Sequence, residues 1–430
     1  MPATSKAPPH TAALLPVHVA SETAPLRQVV VHTPGEEMAL VSPENKDALL
    51  FDDILFLEGA REEHRVLCDV FARIVRQDDA VLQLGDLLRE AFAAEDARHA
   101  YVEALIRLMP ERNFGAYAAE LRALAPDALH RFALTGRAPF PVRAYPLPNL
   151  LFTRDLSAVV TDHVVLSHAA TRARLPESAI VEVIYRYHPR FAVARDRLIT
   201  LPDDVSFEGG DLLVVSDRLV LIGQSERTSL GGCLRAAQEL LARTSVEHVM
   251  VVNLPKERYC MHLDTVFTFA DDETCVVFPP IIEGPSENVF HLEAGEEPGR
   301  FRMRILPNLR VALEEMTGRA LTFIPCGGDD PVTQKREQWT DGANLFAVRP
   351  GLVVGYERNY HTFEALRRHG FHVVDAESFL DFYGDNEVEA DARIAIRLTG
   401  YELSRGRGGP RCMTMPLARE MPAGPAPEPA

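Results

Sequence analysis

One pattern recurs along the sequence: two short apolar runs around a turn, a stretch with helical spacing, then another apolar run. The clearest copy starts at Asp211. The runs LLVV and RLVLIG flank Ser216-Asp217, which reads as a hairpin turn. Thr228–Arg243 follows with apolar residues at helical intervals (Leu230, Cys233, Ala237, Leu240, Leu241), then a strand at His248–Val252. A second copy has VFTF and TCVVF around Asp271–Glu273, a helix near Pro307–Thr317 and the strand LTFI. A third has NLFAV and LVVGY around Pro350-Gly351, the helix His361–His369 and the strand FHVV. A looser copy begins at Leu150 and includes the helical Glu177–Tyr187. LRQVVVHTPG with the helix Arg61–Arg76 supplies part of a fifth. Five such units fit a repeat architecture, a ring around a central axis. The copies agree in hydrophobic pattern rather than letter by letter, and an open α/β sheet alternates in the same way.

Residues 78–145 break the pattern. They are rich in Ala, Leu, Glu and Arg, with helical spacing through Tyr101, Leu105, Leu108 and Met109 and with Pro110 and Pro126 as punctuation. They read as an inserted α-helical domain. Residues 1–20 and 420–430 are Pro- and Ala-rich and are expected to be disordered.

Composition narrows the function. The chain has 430 residues, with 45 Lys+Arg against 62 Asp+Glu, a net charge of −17. An acidic balance argues against nucleic-acid binding, which needs a basic footprint. No apolar run approaches the roughly 20 residues of a membrane-spanning helix. The N-terminal stretch lacks the apolar core of a secretion signal, being broken by Pro16 and His18. Six cysteines (Cys68, Cys233, Cys260, Cys275, Cys326, Cys412) show no CxxC pair, which fits reduced thiols in a cytoplasm. Most are expected to be small core residues.

Four stretches combine polar residues with Gly or Pro at strand edges: PNLLFTRD (148–155), FEGGD (207–211), MHLD (261–264) and GRGGPRCMTMP (406–416). In a ring, equivalent positions converge on the axis. Asp155, Glu208, His262 and Asp264 then share one pocket, with Cys412 delivered by the last loop. Arg411 and Arg407 beside Cys412, or a histidine partner, are expected to lower the thiol pKa from its free value of about 8.5. A thiolate with His262 as proton shuttle is an arrangement for covalent catalysis. Surrounding carboxylates suit a planar cation, because they grip a guanidinium through paired hydrogen bonds. Taken singly, each stretch also has a structural explanation: a turn for FEGGD, a surface ion pair for FTRD, a satisfied buried histidine for His262.

The joint arrangement resembles arginine deiminases of the guanidino-modifying superfamily, whose core is a five-bladed α/β propeller, the pentein fold. The likeness runs from SETAPLRQVVVHTPG through LLFDDI, PLPNLLFTRD, RYHPRF, FEGGD, LIGQSERTS, MHLDTVFTF and REQWTDGANLFAV to GRGGPRCMTMPLAR, nearly all of residues 21–419. It implies a catalytic propeller of residues 21–77 and 146–419, interrupted by the helical domain. It implies Cys412 as nucleophile on the guanidinium carbon and His262 as general acid and base. Asp155 and Asp264 would hold the guanidinium nitrogens, with Glu208 as a further carboxylate. At the other end of the substrate it implies Asn149, Phe152 against the aliphatic chain, Leu50 as an apolar wall, and Arg174 with Arg227 on the α-carboxylate. Arg407 matches a loop arginine that gates the empty site in relatives. Around Arg174 the chain departs from the family, reading TRARLPES where a second Arg and a Glu-Thr pair are usual.

The expected activity is therefore hydrolysis of L-arginine to L-citrulline and ammonia, without metal or organic cofactor, by a cytoplasmic homo-oligomer. Alternatives within the superfamily are an amidinotransferase and an agmatine or methylarginine hydrolase. An arginine-binding protein without turnover, or a structural repeat scaffold, are alternatives outside catalysis.

Overall fold

The computed structural model describes residues 13–284, 287–297, 299–382 and 388–421. It is a mixed α/β structure with five separate small sheets. Four follow the expected unit closely. In each an antiparallel pair is followed by a helix, and a later strand lies parallel to the second of the pair. Ser157–Val160 pairs with His163–Leu166, the helix Leu175–Tyr187 follows, and Leu198–Thr200 completes the sheet. Leu212–Val214, Leu219–Gln224, the helix Leu230–Arg243 and His248–Asn253 repeat the plan. So do Phe267–Phe269, Thr274–Val277, the helix Leu309–Thr317 and Thr322–Pro325. In the fourth, Phe346–Arg349 pairs with Leu352–Tyr356 and the helix Tyr360–Arg368 follows. There His372–Asp375 does not reach Leu352–Tyr356; Ile394–Leu398 lies between them, parallel to both.

The fifth unit is assembled from both ends of the chain. Leu26–Val31 takes Val81–Gln83 as its parallel neighbour after the helix Leu57–Val75, and its antiparallel partner is Met415–Arg419. An extra hairpin, Val289–Ala294 with Phe301–Leu306, extends the second sheet to five strands and had no counterpart in the repeat pattern.

Capping explains several helix starts. Ser229, Asn308 and Asp330 each accept a hydrogen bond from a backbone N–H of the first turn, the N-cap role for which these side chains are suited. Pro176 occupies the first turn of Leu175–Tyr187, where its missing N–H costs no helix bond. Residues 84–135 carry the helices Leu84–Ala91, Glu95–Leu108, Ala118–Arg122 and Pro126–Thr135.

The expected disorder of residues 1–20 does not extend to residues 13–20. Residues 1–12 lie outside the described residues, as do 422–430 of the tail. Leu15 and Val19 are buried; the Leu15 amide donates to the Arg190 carbonyl, and Val19 and Thr161 exchange backbone hydrogen bonds. Apolar residues at 14, 15, 17 and 19 give this short stretch enough surface to dock despite its flanking prolines. Among the described residues, no helix is long and apolar enough to cross a membrane.

Candidate active site

The polar stretches fold as short 3-10 turns immediately before strands: Thr153–Leu156, Gly209–Asp211 and Leu263–Thr265. Such a turn leaves its side chains at the strand entrance rather than alternating across the sheet. The turns meet one another. His262 Nε2 lies 3.0 Å from Glu208 Oε2, and its Nδ1 lies 3.6 Å from Asp155 Oδ1. A Cβ on Gly210 would sit 2.7 Å from His262 Nδ1 and 2.9 Å from Asp155 Oδ1, so glycine is what permits this approach. The loop 406–414 brings Cys412 Sγ to 3.7 Å from Asp264 Oδ2. Cys412, His262, Glu208, Asp155 and Asp264 are all buried. Two buried groups thus form, His262 with Glu208 and Asp155, and Cys412 with Asp264.

Burial and charge set the protonation states. Burial opposes the charged form of His262, but Asp155, Asp211 and Glu208 outweigh it and raise its pKa to about 9. Burial alone would raise Glu208; Arg174, His262 and Arg227 reverse this and hold it well below the usual carboxylate range. The expected depression of the Cys412 pKa is not found. Burial pushes the thiol well above its ordinary value, Asp264, Asp155 and Asp341 push it further, and Arg411 opposes them too weakly. Arg411 is itself neutralised by Asp264 at 2.8 Å and Glu22 at 3.0 Å. Burial and the neighbouring carboxylates thus disfavour the thiolate.

The two arginines expected as a pair stand in different states. Arg227 is buried, and its Nε and Nη1 have no hydrogen-bond partner among the described residues. Arg174 is saturated by carboxylates: Nη1 lies 2.9 Å from Asp155 Oδ2 and 3.2 Å from Glu208 Oε2, and Nη2 lies 2.9 Å from Glu177 Oε2. Its guanidinium faces the cage itself rather than lying open to a further carboxylate.

Asn149 donates from Nδ2 to the Leu49 carbonyl at 2.7 Å, which ties the loop bearing Leu50 to the FTRD stretch. Leu50 is half-buried in a left-handed backbone conformation, φ 56°. Phe152 stacks on Phe51, and a Cβ on Gly408 would sit 2.3 Å from the Phe152 ring. Phe152 thus abuts the Cys412 loop. Arg407, also left-handed, stacks its guanidinium 3.6 Å over the Trp339 ring.

Three further residues complete the site. Asn344 accepts from the Cys412 amide at 3.0 Å and donates to the Asp264 carbonyl at 2.9 Å, so one side chain fixes two of the converging elements. Asp211 accepts from Ser225 at 2.6 Å and from the Leu263 amide at 2.9 Å; burial raises its pKa to about 7. Glu177 anchors Arg174. Asp211 and Asn344 lie inside motifs visible in the sequence, yet nothing in spacing distinguishes them from turn residues. Glu177, three residues after Arg174 at a helix start, reads as an ordinary ion pair.

Asp155, Glu208 and His262 present ligand atoms within 4.8 Å of one another, close enough to share a cation. The Arg174 guanidinium already supplies positive charge there, and His262 takes on a proton of its own. The planar Arg174 guanidinium is the cation these carboxylates contact.

The arginine deiminase family model matches residues 47–130 and 115–419. The chain is also 34% identical over 436 residues to the arginine deiminase of Bacillus cereus strain B4264, covering 94% of this chain and 99% of that protein. The chain belongs to the arginine deiminase family. The family member from Oenococcus oeni is likewise 34% identical over 438 residues, covering 94% of this chain and 98% of its own length. Among solved structures, similarity is found to a dimethylarginine dimethylaminohydrolase adduct (TM-score 0.46, 15% identity, 91% of this chain and 99% of that one). It extends to the N-terminal domain of a cyanobacterial arginine dihydrolase bound to product (TM-score 0.42, 16% identity, 65% of this chain and 78% of that one).

Proposed function

We propose that this member of the arginine deiminase family hydrolyses L-arginine to L-citrulline and ammonia at the site built around Cys412. What supports the reading is a buried thiol beside Asp264 and a buried imidazole beside Glu208 and Asp155, whose carboxylates already hold the Arg174 guanidinium. The substrate guanidinium enters between Asp155 and Asp264. Its positive charge offsets the carboxylates that disfavour the Cys412 thiolate, so the thiol releases its proton to solvent as the substrate binds. The thiolate adds to the guanidinium carbon. His262 gives its proton to the departing nitrogen, which leaves as ammonia, and a thiouronium remains on sulfur. Neutral His262 then takes a proton from water as that water adds to the same carbon. The C–S bond breaks as the new hydroxyl gives its proton to solvent, the thiolate returns and citrulline leaves. Glu208 holds His262 in orientation throughout.

At the far end of the substrate, Arg227 receives the α-carboxylate. Arg174 releases Asp155 as the substrate guanidinium replaces it, and joins Arg227. Phe152 and Leu50 line the aliphatic chain, Asn149 fixes their loop, and Arg407 on Trp339 closes over them. The five sheets form the blades of a propeller built from residues 21–77 and 146–419 together with the strand Val81–Gln83, and the helices between 84 and 135 form a domain set into it. The reaction takes place in the cytoplasm, in a homo-oligomer, without cofactor and without nucleic acid.

The test is release of citrulline and ammonia from L-arginine by the purified protein, with agmatine as second substrate. Equal amounts from arginine, none from agmatine and none from Cys412→Ala are expected. No product from arginine would overturn the reading.

A further inference from the structure

On the second sheet, among residues given no role above, three side chains converge: His248, His291 and Glu293. The pairing of the strands dictates this. His291 and Glu293 are two apart on Val289–Ala294 and so share a face. His291 lies opposite Met250 and Leu292 opposite Val249, so the same register puts Glu293 opposite His248. Two alternate residues on one strand and a cross-strand neighbour aim three ligand groups at one point.

The distances match a metal better than a hydrogen-bond network. His248 Nδ1 lies 3.1 Å from His291 Nε2 and 3.2 Å from Glu293 Oε1. His248 Nδ1 carries at most one hydrogen. If that hydrogen goes to Glu293, His291 is left facing an occupied N–H. If Nδ1 is bare, it accepts from His291 but turns a lone pair toward the carboxylate. One proton cannot satisfy both short contacts with good geometry. A cation accepts electron pairs from all three. Bonds of about 2.0–2.1 Å to a tetrahedral zinc ion place donors about 3.3 Å apart, close to both spacings. The other carboxylate oxygen of Glu293 is 3.2 Å from Arg302, which orients the ligand from outside as supporting groups commonly do. His291 is buried, while His248 and Glu293 are partly exposed, and His248 also lines a cleft of about 780 Å³ with Asp217, Arg218 and Asp272. An ion can therefore reach the site from solvent.

We propose that His248, His291 and Glu293 form a three-ligand site for a borderline divalent cation, zinc being the type the two imidazoles and one carboxylate favour. Solvent completes the coordination. The ion ties the hairpin Val289–Leu306 to the repeat strand His248–Asn253.

The test uses the full untagged chain. Zinc bound per chain is measured by equilibrium dialysis in the parent and in His248→Gln/His291→Gln, together with the thermal midpoint with and without zinc. The double variant is expected to bind one equivalent fewer and to lose the zinc-induced rise in midpoint, with citrulline formation unchanged. The single variant His248→Gln, at a partly exposed position, repeats the measurement if the double variant folds poorly; it should weaken that equivalent at least tenfold. Cobalt in place of zinc should give visible absorption bands in the parent that the variants lack. Equal stoichiometry in parent and variants, or no bound zinc in the parent, would overturn the proposal.

Discussion

Arg174 answers a charge problem that exists before any substrate arrives. Asp155, Glu208 and Glu177 are buried side by side, and three carboxylates without a cation repel one another strongly. Arg174→Met should therefore cost about 3–5 kcal/mol of stability, the range for breaking a buried ion pair. In a Cys412→Ala background, which removes the nucleophile, added arginine should raise the thermal midpoint of the Arg174→Met chain more than that of its Arg174 counterpart. The ligand's guanidinium would replace the missing one. An equal or smaller rise would mean that Arg174 serves the α-carboxylate only. None of this was legible in the sequence: Arg174 follows Asp155 by 19 residues, and chain spacing does not reveal which carboxylates a guanidinium meets after folding. His262 makes the second prediction at this scale. Its folded pKa of about 9 exceeds the unfolded value of 6.5 because neighbouring carboxylates overcome burial. The stabilisation is thus complete below pH 6.5 and is lost as pH rises to 9, on the order of 3 kcal/mol in all. Urea midpoints of Cys412→Ala measured from pH 6 to 10 should fall through that window, and the fall should vanish in Cys412→Ala/His262→Gln. Citrulline formation should decline over the same upper limb, because the imidazole that gives up its proton to ammonia is then neutral.

The elements were read more fully than the contacts between them. Hairpin, helix and parallel strand are local in sequence, so alternation and helical spacing expose them without knowledge of the fold. Ser216-Asp217 and Pro350-Gly351 mark turns where the chain does turn. The hairpin Val289–Leu306 was missed: its second strand FRMRIL is largely exposed and alternates weakly. The strand Ile394–Leu398 was missed too, because it slips between two strands adjacent in the repeat. Candidate residues were legible as motifs because each sits on a turn entering a strand. Their meeting was an inference from the repeat, and the locking role of residues such as Gly210, Asp211 and Asn344 is not legible in the motifs that contain them. Gly210 is the sharpest case. A methyl group there collides with His262 and Asp155 without disturbing strand or helix. Gly210→Ala should lower kcat at least about a hundredfold, the scale expected when a reacting group is misplaced by about 1 Å. Circular dichroism and the thermal midpoint should stay close to the parent. Unimpaired turnover would show that the loop absorbs the methyl group and that this close approach is incidental.

At the scale of the whole molecule, the site depends on the two ends of the chain finding each other. Met415–Arg419, three residues past Cys412, completes the sheet begun by Leu26–Val31. Arg419 reinforces the junction by donating to the Ala24 carbonyl at 2.6 Å and the Ala347 carbonyl at 2.8 Å. Glu22, in the N-terminal segment, faces Arg411 at 3.0 Å, and Arg411, Arg154 and Arg419 together hold its carboxyl below the usual range against the effect of burial. Burial lowers Arg154 to about 9 and Arg419 to about 10, so these guanidinium groups are held charged at a cost that Glu22 offsets. Glu22→Gln leaves Arg154, Arg411 and Arg419 with Asp264 as the carboxylate that still counters Arg411 and Arg154. It should cost about 3–5 kcal/mol. The depressed Glu22 pKa means that its contribution is present above pH 4.5 and lost as pH falls through the lowered value, so parent and variant should converge in acid. Because this cluster joins the first strand, the FTRD turn, the Cys412 loop and the last strand, the site is expected to come apart together with the rest of the fold. Citrulline formation and far-UV ellipticity should be lost together along a urea titration of the parent, and both midpoints should shift together in Glu22→Gln. If activity vanished at lower urea than ellipticity, the terminal strand would be detaching first, and the Cys412 loop would be a locally stable element rather than one held by the closure of the chain.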